Sequence, residues 1–365
     1  MLAIANRNAL SEAIAVAGSV VASRTPKPIL QCVKISATGS ELLLTATDLE
    51  IGMRYVVRQV EVSEPGEVVV PADKFSQIVR ESTDETLELN ADADRCHIRG
   101  RDSHFQVFAQ DPKDFPPVAE LEGQADIEVE AAVLRKLIER TSYAAARENT
   151  RYAINGVLWE RKGQTLVLVA TDGRRLAWAS GAVKKAAGSE TSRIVPIKAM
   201  SILLRLLGEP EAIVQIRFLP NQLVVSTGAA TLSSVLLEGN FPDYDKVIPR
   251  DNDKSVELDV HELHSAVRRA ALLTSEQSKG IRLSFKDGTL VLASRAPEQG
   301  EATISMDVKY DKEPVEIGFN PTFLSDALRI VDVPSCVLVL KDGSRPGLMR
   351  IGDDFVYVIM PVNLS

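Results

Sequence analysis

The chain has 365 residues, of which 45% are hydrophobic and 25% are charged, a composition typical of soluble globular proteins. Its 42 basic and 50 acidic residues give a net charge of −8, which argues against a uniformly basic, nucleic-acid-binding surface. No apolar run approaches the roughly 20 residues of a membrane helix, and the N-terminal segment lacks the pattern of a signal peptide. The three cysteines form no CxxC pair, which argues against a disulfide framework and favours a reducing cytoplasm.

Helical and strand-like patterns alternate along the chain. Helices are predicted over 6–21, 71–81, 131–147, 196–208, 259–275 and 320–332. Pro71 and Pro196 are expected in first helical turns, and Asn320 is expected as an N-cap. The segments between the helices alternate like half-buried antiparallel strands, with Asp-Gly turn signals at 172–173, 287–288 and 342–343.

One strand pattern occurs three times, at a spacing of 124 residues. It reads LLLTATD at 42–48, LVLVATD at 166–172 and LVLAS at 290–294. A period this long indicates whole domains, because solenoid repeats run to about 20–50 residues. We therefore predict three tandem α+β domains, 1–123, 124–252 and 253–365, each with two helices packed on one face of antiparallel sheet.

The charges divide unevenly between helices and the remainder. The six helical windows hold twelve Lys or Arg and eight Asp or Glu, a net +4, which leaves −12 for the rest of the chain. This segregation favours one basic helical face within an acidic protein. A basic face without regular base-reading groups is expected to bind a nucleic acid backbone rather than a sequence.

Signals for catalysis are weak. His261 and His264 are spaced i, i+3, whereas a zinc protease motif needs histidines at i, i+4. Asp92, Asp94 and His97 lack the glycine and terminal glutamate of a calcium loop. No phosphate-binding loop, dinucleotide fingerprint or nucleophile elbow occurs. We expect no catalytic site, no metal and no cofactor.

The sharpest local string is TDGRRL at 171–176. An Asp-Gly pair alone indicates only a hairpin turn. The corresponding strings are TDLE at 47–50 and SRA at 294–296, so Arg174 and Arg175 occur only in the middle repeat. A departure from the repeat indicates a site rather than scaffold.

Four strings carry a resemblance: TRYAING at 150–156, ATDGRRL at 170–176, FPDY at 241–244 and MPVNL at 360–364. Together and in this order, they make the chain resemble the bacterial DNA polymerase III β sliding clamps over its full length. The resemblance implies a head-to-tail dimeric ring of six similar domains, with helices lining a hole for duplex DNA. It implies a non-catalytic processivity factor whose partners are the polymerase III catalytic subunit, the clamp loader, other polymerases and repair proteins.

The resemblance also assigns residues to three surfaces. Sequence-independent contacts with double-stranded DNA are expected from Arg24, Arg80, Arg147, Tyr152, Lys198 and Arg205. The dimer contact is expected from Phe105 and Val107 against Leu272 and Leu273, flanked by Lys74, Glu298 and Glu301.

A pocket for short linear peptides is implied between the second and third domains. It would combine apolar walls with a rim of cations and backbone groups. The matching positions are Ile154, Thr171, Gly173, Arg174, Arg175, Leu176, Pro242, Lys246, Val247, Val358, Met360, Pro361, Val362 and Leu364.

Two alternatives remain open at this point. The chain could be a clamp-fold scaffold that binds partner proteins without encircling DNA, or an enzyme that uses the turn at 172–175. Retention on circular DNA distinguishes the clamp from the scaffold, and an activity lost in Arg175→Ala with unchanged DNA retention would indicate the enzyme.

Overall fold

A computed structural model describes residues 1–22, 24–92, 94–147, 153–274 and 280–363. All six predicted helices form, with ends up to six residues shorter than the predicted windows. Their bounds are α1 (Arg7–Gly18), α2 (Ala72–Glu81), α3 (Ala131–Thr141), α4 (Ile197–Leu206), α5 (Val260–Ala271) and α6 (Pro321–Arg329). None of the described helices is long and apolar enough to cross a membrane.

Strands make up most of the remaining regular structure. The first part of the chain forms β1 (Leu2–Asn6), β2 (Cys32–Thr38), β3 (Glu41–Thr47), β4 (Ile51–Val57), β5 (Val60–Glu64), β6 (Gly66–Pro71), β7 (Thr86–Ala91), β8 (Arg95–Arg99) and β9 (His104–Phe108). The middle part forms β10 (Ile127–Glu130), β11 (Gly156–Lys162), β12 (Thr165–Thr171), β13 (Arg175–Ala182), β14 (Lys185–Ala186), β15 (Thr191–Pro196), β16 (Ile213–Phe218), β17 (Gln222–Ser226) and β18 (Ala230–Val235). The last part forms β19 (Lys254–Asp259), β20 (Ile281–Lys286), β21 (Thr289–Ala296), β22 (Gly300–Asp307), β23 (Val315–Phe319), β24 (Ser335–Leu340), β25 (Gly347–Ile351) and β26 (Phe355–Ile359).

The sequence repeat is reproduced in the strand order. One group of antiparallel strands runs β5-β1-β7-β8-β9, then β14-β10-β16-β17-β18, then β19-β24-β25-β26. The other runs β4-β3-β2-β6, then β13-β12-β11-β15, then β22-β21-β20-β23. Each part of the chain therefore contributes one strand group of each kind.

Two strand pairs join successive parts of the chain into continuous sheets. In the first seam, β4 pairs antiparallel with β18, and Met53 lies opposite Leu232. In the second seam, β13 pairs antiparallel with β26, and Ala177 lies opposite Tyr357. These pairings produce a nine-stranded and an eight-stranded sheet, beside sheets of five and four strands.

The two seams lie in two different compact units. The first unit comprises Met1–Val133, Val183–Ser189 and Lys198–Leu236, and the second comprises Leu134–Ala182, Glu190–Ile197 and Leu237–Ser365. In the first unit α1 packs on α2 and on β3 and β4. In the second unit α5 packs on α6 and on β21 and β22. The apolar faces of these helices are buried, as the helical periodicity predicts.

The helix starts differ from the prediction at both prolines. Pro71 ends β6 opposite Cys32, and Pro196 ends β15 opposite Gly156, so neither lies in a first helical turn. Each lies at the end of an edge strand, β6 or β15, where a missing N–H is tolerated. The N-cap prediction is confirmed, because the Asn320 side chain accepts the N–H of Thr322 at 2.9 Å.

Candidate functional site

The turn between β12 and β13 is held by its own side chains. The Thr171 hydroxyl donates to the Arg175 carbonyl at 2.6 Å and accepts the Gly173 N–H at 3.1 Å. The Asp172 carboxylate accepts the N–H groups of Arg174 and Arg175 at 2.9 and 3.0 Å. Gly173 has φ +84°, the left-handed conformation that glycine adopts without strain. The Asp-Gly signal therefore predicts this turn correctly.

Arg175 points into the second unit instead of forming an open cationic rim. Its guanidinium contacts Asp172 at 3.0 Å and Asp326 of α6 at 2.7 Å, and donates to the Tyr143 carbonyl at 2.8 Å. It also lies 4.5 Å from the ring centre of Phe323. The side chain is only 10% exposed, so Arg175 joins the turn to α6. Its partner Asp326 is 151 residues away, and no sequence signal links the two.

Arg174 is exposed, and its main chain continues the second seam. The Arg174 carbonyl accepts the Met360 N–H at 2.9 Å, which places the C-terminal segment beside the turn. Two residues further along the seam, Leu176 lies opposite Val358. Both are buried in one apolar cluster that includes Tyr244. The structure thus brings these pocket candidates together as a buried floor with an exposed charged edge.

The segment after Pro242 carries two further pocket candidates to the same region. Lys246 and Val247 line a cavity of about 700 Å³ together with Met360. Val247 is 42% exposed and Met360 is 39% exposed, so two apolar side chains are accessible here among charged neighbours such as Asp245, Arg250 and Arg345. The Lys246 ammonium lies 2.7 Å from the Asp243 carboxylate. The volume is within the usual range of ligand sites.

The C-terminal segment forms the other side of this region. The Val362 N–H donates to the Gly318 carbonyl at 2.9 Å, so the tail pairs with the end of β23. Pro361 and Val362 line a cavity of about 610 Å³. Ile154 is buried at 7% exposure, and its carbonyl accepts the Ala146 N–H at 2.9 Å. The last pocket candidate, Leu364, lies outside the described residues.

The candidate DNA contacts fall on exposed positions where the structure describes them. Arg24 follows α1, Arg80 lies in the last turn of α2, and Lys198 and Arg205 lie on α4, all in the first unit. Arg147 follows α3 and belongs to the second unit. Tyr152 lies outside the described residues.

Two of the helix cations are less available than the charge count predicts. Lys198 is paired with Asp48, so phosphate would compete with a carboxylate for it. Arg140 is 3% exposed and lies 3.0 Å from Asp354 and 3.4 Å from Asp332. The inference that all helix cations serve one basic face is therefore wrong for Arg140, which is a structural ion-pair partner.

Asp354 is the centre of that ion-pair group. Lys136 approaches it at 2.9 Å. Burial disfavours its charged form, but the hydrogen bonds from Lys136 and Arg140 outweigh burial and hold the pKa of the carboxyl below its ordinary value. Asp354 lies in the turn between β25 and β26, so these contacts fasten the second seam to α3.

The candidate dimer residues lie on two sheet-edge regions. Phe105 and Val107 lie on β9, which has one strand neighbour within the described chain, and Phe105 is 39% exposed. Leu272 is 76% exposed and Leu273 is half-buried, directly after α5. The three flanking charges, Lys74, Glu298 and Glu301, are exposed, with Lys74 lying 3.7 Å from Asp73 and Glu301 lying 3.2 Å from Arg295.

Within the described residues, no group of three or more His, Cys, Asp and Glu side chains is placed to hold a metal ion. The Asp92 carboxylate instead accepts the N–H groups of Asp94 and Arg95, both at 3.0 Å. It stabilises the turn before β8.

Sequence reasoning missed the polar residues that support the site. Glu160 and Lys162 of β11 contact the Tyr244 hydroxyl at 2.6 and 3.2 Å. Both stand in a strand whose polar residues are typical of a solvated face, and the sequence gives no sign that a tyrosine 84 residues away meets them.

Comparison with known proteins gives matches along nearly the whole chain. Models of the DNA polymerase III beta subunit match at residues 1–119 (N-terminal domain), 128–243 (central domain) and 245–363 (C-terminal domain). The beta sliding clamp of Pseudomonas putida is 36% identical over 361 residues, which cover 98% of each chain.

Solved structures match equally well. A sliding clamp from Pseudomonas aeruginosa bound to griselimycin has a TM-score of 0.95 and 35% identity, with 100% of each chain covered. The DNA polymerase sliding clamp of Bacillus subtilis has a TM-score of 0.96 and 26% identity, again with 100% of each chain covered. The resemblance and the three-domain α+β fold predicted from the sequence are both confirmed.

Proposed function

Because this chain belongs to the family of DNA polymerase III β subunits, the β sliding clamps, we propose that it acts by closing into a two-chain ring around duplex DNA. It is a sliding clamp, which tethers the replicative polymerase and other replication and repair proteins to the template. In this role it needs no catalytic site, metal or cofactor. We expect it in the cytoplasm, where a bacterial clamp meets the chromosome. We keep the domain boundaries at residues 123/124 and 252/253.

The observation that carries the ring proposal is the pattern of seams. β4 and β13 are equivalent strands of the repeat, and each is paired with the last strand of the other strand group, β18 or β26. By the same rule β22 should pair with β9, and no strand of the described chain occupies either edge. An unpaired strand edge favours association with another chain. Two copies related by two-fold symmetry close both edges at once.

The repeat also predicts the register of this third seam. One position of the 124-residue repeat is occupied by Ala46, Ala170 and Ser294. Their partners across the adjacent hairpin are, in the same order, Met53, Ala177 and Ala302. Ala302 should therefore face the residue that corresponds to Leu232 and Tyr357.

On β9 that residue is Phe105, which pairs with Ile98 as Leu232 pairs with Val225 and Tyr357 pairs with Met349. Leu232 and Tyr357 are both 0% exposed within their seams, whereas Phe105 is 39% exposed. A position that is fully buried at two seams and open at a third supports burial of Phe105 by a second copy. Full burial of an exposed phenylalanine contributes about 1.5–3 kcal/mol, so covering the 39% of Phe105 that is exposed should contribute roughly 1 kcal/mol per junction.

The ring explains how weak DNA contacts suffice. A closed ring stays on long DNA without tight binding, so its contacts can be weak and transient. The five cations need only neutralise phosphates in passing, and the uncharged Tyr152 would add a polar contact; the cations are Arg24, Arg80, Arg147, Lys198 and Arg205. The Asp48 partner of Lys198 would weaken that contact further.

The decisive test is topological. The loaded protein should remain on nicked circular DNA and leave when the circle is cut, because only the ring links it to the duplex. Equal release from circular and linear DNA would instead support the scaffold that does not encircle DNA. Light scattering should give roughly twice the 39.7 kDa chain mass before loading.

We further propose that partner proteins bind at the second seam through short peptides. The candidate surface joins the buried floor of Leu176 and Val358 to the exposed Val247 and Met360. A related clamp structure holds griselimycin, which supports a ligand-binding role for this fold. The C-terminal segment offers backbone groups to an extended peptide.

A truncation separates the peptide surface from the ring. Removal of residues 360–365 should abolish capture of peptide-bearing partners and leave the dimer mass unchanged, since this segment does not belong to β9 or β22. A truncated chain that becomes monomeric would contradict the assignment of the third seam.

A further inference from the structure

The segment that connects the second and third domains is fixed by one buried tyrosine. Tyr244 opens a short 3-10 turn, Tyr244–Lys246, and is 7% exposed. Its hydroxyl donates to the Glu160 carboxylate at 2.6 Å and accepts from the Lys162 ammonium at 3.2 Å. Lys162 also lies 3.0 Å from Glu160, so all three groups contact one another.

We infer that Glu160, Lys162 and Tyr244 form a positioning group that holds the interdomain segment in place and thereby sets the peptide affinity of the second seam. This inference rests on the proposed function of that seam. None of the three residues needs to touch the peptide. Below, the three are called the tyrosine anchor.

The tyrosine anchor contacts both halves of the candidate peptide surface. The Tyr244 ring packs in the apolar cluster that contains Leu176 and Val358. The Tyr244 carbonyl accepts the Val247 N–H at 3.0 Å, which places Lys246 and Val247 at the cavity shared with Met360. A shift of Tyr244 would therefore move the exposed rim relative to the buried floor.

The bond to Glu160 is well suited to a fixed position. Burial, followed by the hydrogen bond to Glu160, raises the pKa of Tyr244 to about 12, so the hydroxyl stays a donor at neutral pH. Glu160 itself is only 16% exposed. A hydrogen bond to a charged, largely buried acceptor is stronger than a neutral one.

The first seam shows that joining two domains does not require such an anchor. The sequence PheProProVal at 115–118 corresponds to PheProAspTyr at 241–244, so Val118 takes the place of Tyr244. Val118 packs directly on Gly52, where an added Cβ would lie 2.5 Å from a valine methyl and 2.6 Å from the Ser233 hydroxyl. The same segment also carries Glu120, which pairs with Arg54 of β4 at 2.6 Å, but this carboxylate is 55% exposed whereas that of Glu160 is 16% exposed. The largely buried hydrogen bond of a tyrosine is therefore specific to the second seam, where the peptide surface lies.

The test uses four single variants of the full-length chain and one double variant, Tyr244→Phe with Glu160→Leu. Tyr244→Phe removes only the hydroxyl, Glu160→Leu removes the acceptor, and Glu160→Gln retains an oxygen that can accept it. Tyr55→Phe is the matched control, because the Tyr55 hydroxyl also donates to a carboxylate, that of Glu12, at 2.9 Å in the first unit. Each variant is titrated calorimetrically with a synthetic pentapeptide that carries leucine and phenylalanine anchors. Hydrogen exchange at residues 243–247 and the melting temperature are measured in parallel.

The inference predicts a pattern across these readouts. Tyr244→Phe and Glu160→Leu should raise the Kd at least tenfold and speed exchange of the Val247 amide. The Kd of Glu160→Gln should stay within about threefold of the wild-type Kd, and the Kd of Tyr55→Phe should equal the wild-type value. The double variant Tyr244→Phe, Glu160→Leu should bind the peptide no more weakly than either single variant, because each single change already removes the same hydrogen bond.

Two results would overturn the inference, and they differ from failure of the pocket. A Tyr244→Phe protein that binds peptide like the wild type would show that the anchor does not set affinity. Equal loss of affinity in Glu160→Gln and Glu160→Leu would show that the hydrogen bond is not the cause. A wild-type chain that does not bind the pentapeptide would instead refute the proposed peptide surface itself.

Discussion

The turn at 47–51 and the turn at 171–175 have the same backbone conformation but carry different side chains. In the first, the Thr47 hydroxyl donates to the Ile51 carbonyl at 2.9 Å and accepts the Leu49 N–H at 3.0 Å. The Asp48 carboxylate accepts the next two N–H groups at 3.0 and 2.7 Å. The same four bonds occur in the second turn. Leu49 even has φ +79°, against +84° for Gly173.

The difference lies in the side chains that this common frame displays. The first turn presents Leu49, Glu50 and Ile51, and the seam beside it is covered by Val118 of the same chain. The second turn presents a bare glycine, an exposed Arg174 and an inward Arg175. The comparison teaches that the repeat builds the seam, whereas departures from the repeat give the second seam the different surface on which we propose that partners bind.

The largest effect is expected at the third seam, whose two strands, β9 and β22, have no partner on that side within the described chain. Leu272→Asp combined with Leu273→Asp should convert the dimer to monomers, because a carboxylate buried in an apolar junction costs several kcal/mol. Light scattering should then give about the 39.7 kDa mass of one chain.

A matched control comes from the first seam. Leu49 is 50% exposed, so Leu49→Asp adds a charge to an exposed leucine outside the proposed junction. This variant should stay dimeric. Monomers from both variants would mean that general destabilisation, rather than the third seam, explains the loss of the dimer.

The next test separates the two arginines of the second turn. Arg175→Ala should lower the free energy of unfolding by about 3 kcal/mol, because it removes the cation of Asp172 and leaves Asp326 with only Arg329, at 4.0 Å, in a largely buried place. Arg174→Ala should change stability by less than about 0.5 kcal/mol, since exposed substitutions usually do. Urea unfolding monitored by circular dichroism measures both. Similar losses in the two variants would contradict the inward role of Arg175.

A smaller effect is expected from exchanging the left-handed residues of the two turns. Gly173→Ala should cost about 1 kcal/mol, because a Cβ is disfavoured at φ +84°. Leu49→Gly should relieve similar strain at φ +79° but adds freedom to the unfolded chain, so its net effect should be below about 1 kcal/mol. Thermal unfolding of both variants provides the measurement. A larger loss in Leu49→Gly than in Gly173→Ala would show that the Leu49 side chain contributes packing that outweighs its strain.

Much of the fold could be predicted from the sequence because its signals are local. The helical periodicity and the Asp-Gly turns depend on neighbouring residues, and the 124-residue repeat is visible when the sequence is compared with itself. Tertiary pairing overrode local preference at Pro71 and Pro196, where ladder pairing extends each strand to the proline itself.

The candidate site was less predictable because its polar contacts span long separations. Arg175 meets Asp326 and Tyr244 meets Glu160 only after the sheets form. A charge count cannot distinguish exposed Arg80 from buried Arg140, because both stand in helices at similar places in the pattern.

The smallest predicted effect is a pH dependence that belongs to the second seam alone. Asp354 lies in the β25–β26 turn and is paired with Lys136 and Arg140. The corresponding turn of the first seam, residues 227–229, contains no carboxylate. Because the pKa of Asp354 is lowered below its ordinary value of 3.8 in the folded chain, its charge stabilises the fold above about pH 4. That contribution should disappear as the pH falls through the folded pKa.

The Asp354→Asn variant isolates this contribution from other carboxylates. Its free energy of unfolding should lie below that of the wild type at pH 7, and the gap should narrow as the pH falls below 4, since protonated aspartic acid and asparagine are both neutral. Asp353→Asn, at the exposed neighbouring position, should follow the wild type at every pH. A gap between Asp354→Asn and wild type that stays constant from pH 7 to pH 2.5 would mean that the loss arises from packing rather than from charge, and the second seam would then be no more ionic than the first.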